Sequence, residues 1–180
     1  MATQTTTKWA VDTAHSEVGF KLRHLMITSV SGKFEKFDGT VETSGDDFVN
    51  STINFTADVD SVTTADEKRD GHLKAADFFD VAKYPKMKFV STKIEKAGGN
   101  KYVVHGDFTI RDVTKPIKLD VEHHGTAKDP WGNTKAGFSI NAKINRSDYG
   151  LSWNVTLETG GVLVSEEVKI VCEVQLVKQA

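Results

Sequence analysis

The chain has 180 residues, with 23 Lys and Arg against 25 Asp and Glu and a net charge of -2. Such a length suits one domain, and a hydrophobic content of 38 % supports a core without disulfides or a structural metal. The near-neutral charge, with basic residues scattered one or two at a time, argues against nucleic acid as a partner. A lone cysteine, Cys172, excludes an intrachain disulfide and a multi-cysteine metal site.

No window approaches the roughly 18 apolar residues that a membrane span needs. The first residues, Met1 to Thr7, show no basic segment followed by an apolar run. Cytoplasmic placement is therefore expected, or periplasmic placement if a leader has been removed.

Along the chain the dominant pattern has period two. Val18, Phe20 and Leu22 alternate with Gly19, Lys21 and Arg23, and His24 continues the dry phase. Ile53, Phe55, Ala57 and Val59 follow the same rule, then Met87 and Phe89, Phe108 and Ile110, and Ile117, Leu119 and Val121. Phe138, Ile140, Ala142 and Ile144 form another such run, and Val168 to Leu176 closes the series with Cys172 on its dry side. Each reads as a strand with one wet and one dry face, as in an antiparallel sheet.

Turn residues separate the runs at Ser44–Asp47, Ala97–Asn100, Asp129–Asn133 and Thr159–Gly161. Pro85, Pro116 and Pro130 are expected at element edges or in loops. Thr64-Ala-Asp-Glu67 has the form of a capping box, predicting a helix of two or three turns with Thr64 as its N-cap. Asp77–Asp80 predicts a further short turn. Many short strands with one helical excursion predict an all-β barrel or sandwich. Barrels of about eight strands are either just filled by side chains or hold one small ligand, and composition alone leaves both open.

Three stretches are more specific. The first runs Asp12-Thr-Ala-His15-Ser16 through Phe20 and His24 to Gly32-Lys-Phe34. The second joins Asp60-Ser-Val-Thr63, Arg69-Asp70-Gly-His72-Leu73, Asp77-Phe78-Phe79-Asp80 and Tyr84-Pro85-Lys-Met87-Lys-Phe89. The third joins Gly106-Asp-Phe108-Thr-Ile110-Arg111-Asp-Val-Thr114-Lys-Pro116 to Asn145-Arg146-Ser-Asp148-Tyr149-Gly150-Leu-Ser-Trp153. In this order and spacing they resemble the YceI-like, polyisoprenoid-binding family from about Trp9 to the end of the chain.

The resemblance implies an extended antiparallel lipocalin-like β-barrel of about eight strands with one short helical insertion. Residues 9–178 would form the single domain, after a tail at 1–8. Members of the family are often dimeric, so a homodimer is expected. The interior would hold an isoprenoid, quinone-like or fatty-chain lipid without catalysis, cofactor or metal. Its expected lining includes Phe20, Leu22, His24, Phe34 and Phe55 from the first half. The helical excursion adds Leu73, Phe78 and Phe79, and the later strands add Met87, Phe89, Phe108, Ile110, Phe138, Ile140 and Trp153. Arg69 and His72 are the head-group candidates.

Two other readings stand beside this one. An enzyme acting on such a lipid would need two of His15, His24 and His72 clustered with an acid at the barrel mouth. A stress-related interaction protein would have a filled barrel. Metal binding has little support, because no His pair has the i, i+4 spacing of a helical site. Structural hydrogen bonding at the end of the barrel is expected for His15 and His24. Arg146 with Asp148 and Tyr149 reads as a structural arrangement at a strand end, and a tryptophan such as Trp9 as an end plug. Ser16 and Ser91 lack a nucleophile-elbow context, and Cys172 reads as a packed side chain.

Overall fold

The computed structural model describes residues 5–25, 27–45, 47–155, 157 and 163–180. The predicted turn at Thr159–Gly161 lies outside them, as does Asp46 of the turn at Ser44–Asp47.

The alternating runs become antiparallel strands. In chain order they are β1 (Thr6–Val11), β2 (Glu17–His24), β3 (Thr28–Phe34), β4 (Phe37–Ser44), β5 (Asp47–Asp58) and β6 (Val62–Thr63), then β7 (Lys86–Lys96), β8 (Lys101–Ile110), β9 (Val113–Lys128), β10 (Thr134–Asn145) and β11 (Glu167–Lys178). One helix, α1 (Glu67–Lys74), stands between β6 and β7.

Eight strands close a ring in the order β1-β4-β5-β7-β8-β9-β10-β11, and β11 returns to β1 through Trp9↔Lys178. The first half of β11 pairs instead with β2, which continues to β3 and β6. So β1 and β2 are two halves of one barrel strand. The break between them is a single 3-10 turn, Thr13–His15, capped by the Asp12 carboxylate accepting from Ala14 N–H. Pairing with β4 begins at Thr6, three residues before Trp9.

Two places in the wall are only partly laddered. β5 pairs with β7 over Asn54–Asp58 and Lys86–Val90. Beyond that stretch Ser91 Oγ accepts from Ile53 N–H at 2.8 Å and bridges the strands. β9 pairs with β10 only from Asp120 to Lys128, so Val113–Leu119 bonds to β8 alone. Pro116 falls in that stretch, inside a strand rather than at an edge or in a loop as the sequence suggested. The strand tolerates it because this part of β9 has a free side, where a missing N–H removes nothing.

The N-cap of the helix lies two residues later than the capping-box pattern predicts. Asp66, not Thr64, is the N-cap, accepting from Arg69 N–H at 3.1 Å. Ala65 takes a positive φ of 63°, which turns Thr64 away from the helix axis. Thr64 instead donates its N–H and hydroxyl to Asp70 Oδ1 and accepts from Arg69 Nε. Asp77–Asp80 forms a turn, as expected.

Glycines let aromatic rings lie flat against the wall. A Cβ on Gly32 would collide with the Phe20 ring, its cross-strand neighbour, and one on Gly106 with the Phe89 ring. Both rings thereby cover backbone that would otherwise face the interior.

Candidate functional site

The dry faces do not meet in the middle. They enclose a cavity of about 650 Å³, within the range of small-molecule sites and not a filled core. Val168, Ile170, Cys172, Val174 and Leu176, every second residue of β11, all line it. At about 3.3 Å per residue those eight steps put the cavity's ends some 26 Å apart along the strand, less after tilt. Many lining side chains, Phe20, Phe55, Ile117, Leu119 and Ile140 among them, are half-buried because their free surface faces this space.

One end is sealed. Trp9 is 3 % exposed and packs in a cluster with Val41, Ala136, Phe138 and Leu176, as an end plug should. Its ring lies 5.5 Å from that of Phe48, and Phe48 meets His123 and Phe138 edge-on. His123 and His124 point to opposite faces, as adjacent strand residues must. His123 stacks on Phe138 at 4.6 Å, and burial lowers its pKa, which favours the neutral imidazole. His124 is exposed and bonds Ser139 Oγ.

The opposite end is covered by α1 and by a strap made of residues 146–155 together with 163–165. Arg146 organises that cover. Only 2 % exposed, it donates to the carbonyls of Ser165, Leu151, Trp153 and Val164. Glu166 lies 3.7 Å from it at the rim. Burial pulls the guanidinium below its usual pKa, and Glu166 opposes that. The residue belongs to the structure, as read from its place at a strand end. On α1, His72 packs edge-on against Trp153 at 4.7 Å and Phe78 at 5.0 Å, and its Nε2 lies 3.2 Å from Asp77. Helix and strap are thus fastened through one imidazole.

Every residue named from the sequence as lining borders the cavity, from Phe20, Leu22 and His24 to Ile140 and Trp153, as do Arg69 and His72. Charged groups gather at the α1 end, where Asp66, Lys68, Arg69, His72 and Arg146 stand with Thr64, while Thr40, Ser51 and Asn54 of β4 and β5 add uncharged polar groups elsewhere on the lining. Arg69 is already engaged with Thr64, through its hydroxyl at 2.7 Å and its carbonyl at 2.8 Å. His15 does not border the cavity. It sits exposed in the turn between β1 and β2, 2.9 Å from Asp12, so its hydrogen bond is on the outer wall and not at an end. His24 lines the mouth, and among the described residues its imidazole takes no hydrogen bond. Cys172 is buried within the wall, where desolvation raises its thiol to about 11 and keeps it protonated.

The sequence reading passed over Phe48, Val11, Leu163 and Val164, which also line the space. Phe48 alternates with Asp47 and Val49, so the period-two signal was present there but short. Among the described residues no cluster of His, Cys, Asp and Glu could hold a metal ion, and no helix is long and apolar enough to cross a membrane.

The profile of the YceI-like domain matches residues 9–176. A UPF0312 protein from Staphylococcus aureus (strain MSSA476) is 39 % identical over 166 residues, covering 91 % of this chain and 93 % of its own. The crystal structure of a Campylobacter jejuni YCEI protein superposes with a TM-score of 0.76 at 34 % identity, covering all of both chains. That of Burkholderia cenocepacia BcnA gives 0.78 at 27 %, covering 92 % of this chain and 98 % of the other. A polyisoprenoid-binding domain from Saccharophagus degradans, at 16 % identity and a TM-score of 0.67, covers 95 % and 98 % and shares the fold. With the profile spanning nearly the whole barrel, the chain belongs to the YceI-like domain family.

Proposed function

We propose that this protein binds and carries one apolar long-chain molecule, of isoprenoid, quinone-like or fatty-chain type, inside the barrel. The observation that carries this reading is the cavity itself: an elongated space of about 650 Å³, mainly apolar along its length, with its charged side chains at one end. A chain of apolar carbons gains about 25 cal/mol for each Å² it buries, so a tail needs no polar contacts. A polar head fits the α1 end, where Arg69, Lys68 and His72 border the space. Phe20, Phe55, Phe89, Phe108 and Ile140 would hold the tail.

The catalytic reading finds less support. His15 is on the outer wall, and His72 is occupied by Asp77, Trp153 and Phe78. A filled-barrel scaffold disagrees with the open interior.

Titration with a fluorescent polyene fatty acid tests the proposal. Saturation at one probe per chain, with displacement by a polyprenyl alcohol, is expected. Absence of saturable binding by any long-chain probe would sink it.

A further inference from the structure

The barrel wall has a side opening. Beyond Asp120↔Asn141 the β9–β10 ladder stops, and among the described residues no hydrogen bond joins Val113–Leu119 to Ala142–Asn145. A second cavity of about 620 Å³ occupies this split, bordered by Pro116, Ile117, Lys118, Lys143, Ile144 and Tyr149. Ile117 and Ile144 border the central cavity too, so the two spaces adjoin through the wall.

The sequence keeps this seam apart. Pro116 offers no N–H toward β10. Continuing the register from Asp120↔Asn141 by two residues would set Lys118 directly opposite Lys143, and like charges in that relation repel.

One of these lysines belongs to a row. Lys143 pairs with Lys169, and Lys169 with Lys21, so these three stand side by side on the outer face, with Lys118 on the other border of the opening, all exposed. Lys115 borders the opening as well. Facing them are Glu167, 3.9 Å from Lys143, Asp148 at the opening, and Asp120 next to the end of the ladder. Among the described residues Lys21, Lys118 and Lys169 have no carboxylate partner.

We propose that this face is an exchange port: the lysine row docks on an anionic lipid bilayer, and an apolar chain passes between bilayer and cavity through the β9–β10 opening. The basic row complements acidic head groups, and the apolar rim of Ile117 and Ile144 leads inward. The mouth under α1 is fastened by Arg146 and His72, whereas among the described residues no hydrogen bond between Val113–Leu119 and Ala142–Asn145 has to break, and the seam is tied only at its end, where Arg111 Nη1 donates to the Gly150 carbonyl at 2.6 Å. The inference rests on the proposed lipid-carrying function, yet docking is measured separately from it.

Co-sedimentation with vesicles reads the docking face alone, without any cavity ligand. Wild type should bind vesicles of phosphatidylcholine with about one-third phosphatidylglycerol, lose binding as salt rises, and ignore phosphatidylcholine alone. Lys118→Gln/Lys143→Gln/Lys169→Gln should weaken anionic binding about tenfold or more. The port is read by transfer of the polyene fatty acid from those vesicles. Bridging Lys118→Cys/Lys143→Cys with a bis-maleimide should slow transfer about tenfold relative to the same variant left unbridged, while affinity for probe added without vesicles is unchanged. Equal sedimentation with both vesicle types, or transfer unaffected by the bridge, would overturn the proposal. Docking with no probe affinity would instead count against the cavity's function. Sedimentation replaced by preferential capture of an acidic protein or nucleic acid would also refute the bilayer as partner.

Discussion

The imidazole of His72 and the indole of Trp153 meet edge to face, 4.7 Å apart with an 85° angle between their planes. One ring rides on α1 and the other on the strap that Arg146 anchors, so this contact joins the two pieces covering the mouth. Aromatic pairs in this geometry couple by about 0.5–1.5 kcal/mol beyond burial. A double-mutant cycle of His72→Ala and Trp153→Ala, read by urea unfolding, should return coupling of that size. Additive effects of the two substitutions would show that helix and strap are independent.

Arg146 holds four carbonyls at once. Arg146→Met leaves those acceptors buried and unpaired, and Glu166 without its partner. A loss of about 3–5 kcal/mol in chemical denaturation is expected, as for breaking a buried charge network from one side. Arg146→Lys should recover only part of it, because an ammonium cannot reach four acceptors spread across a planar fork.

Acid should weaken the barrel through Asp12. Its carboxylate accepts from Lys135 Nζ at 2.7 Å and from His15, which together hold its pKa at about 2. The folded value lies below the unfolded one, so the stabilisation is complete above about pH 4 and is lost as pH falls through 2. Its size is on the order of 2 kcal/mol, since the Asp12 and Lys135 side chains are largely covered. Asp12→Asn should flatten the stability profile between pH 4 and pH 2. An unchanged acid slope would mean that Asp12 is not the titrating group.

Gly106→Ala puts a methyl group into the Phe89 ring and against the Val90 carbonyl. Phe89 must then swing into the cavity. We expect a loss of about 1–3 kcal/mol and a smaller space for ligand, visible as weaker binding of long probes relative to short ones. Equal weakening for all lengths would argue that the ring had not moved inward.

The strands were legible because alternation survives in nearly every run, from Val18-Phe20-Leu22 to Val168–Leu176. The lining residues followed from the same phase. What pattern could not supply was pairing. The run Ile117–Val121 alternates without interruption, although only part of β9 has a partner on its β10 side. Lys21, Lys143 and Lys169 look scattered in the sequence, and only the register sets them in a row, with Lys118 across the opening. Arg146 was placed at a strand end, but its acceptors are backbone carbonyls, which leave no mark on side-chain identity. The cap of α1 was misplaced because Thr64 and Asp66 are both good capping residues, and the choice turned on the φ of Ala65.

The most direct test of an interior built to hold a lipid chain is native mass spectrometry of freshly purified protein, beside a Cys172→Phe variant that fills the middle of the cavity. The wild type should carry an added mass of a single apolar molecule, released on denaturation, and the variant should fold without it. A wild type that stays ligand-free under gentle conditions, even after incubation with polyprenyl alcohols, quinones and fatty acids, would contradict a lipid-carrying role.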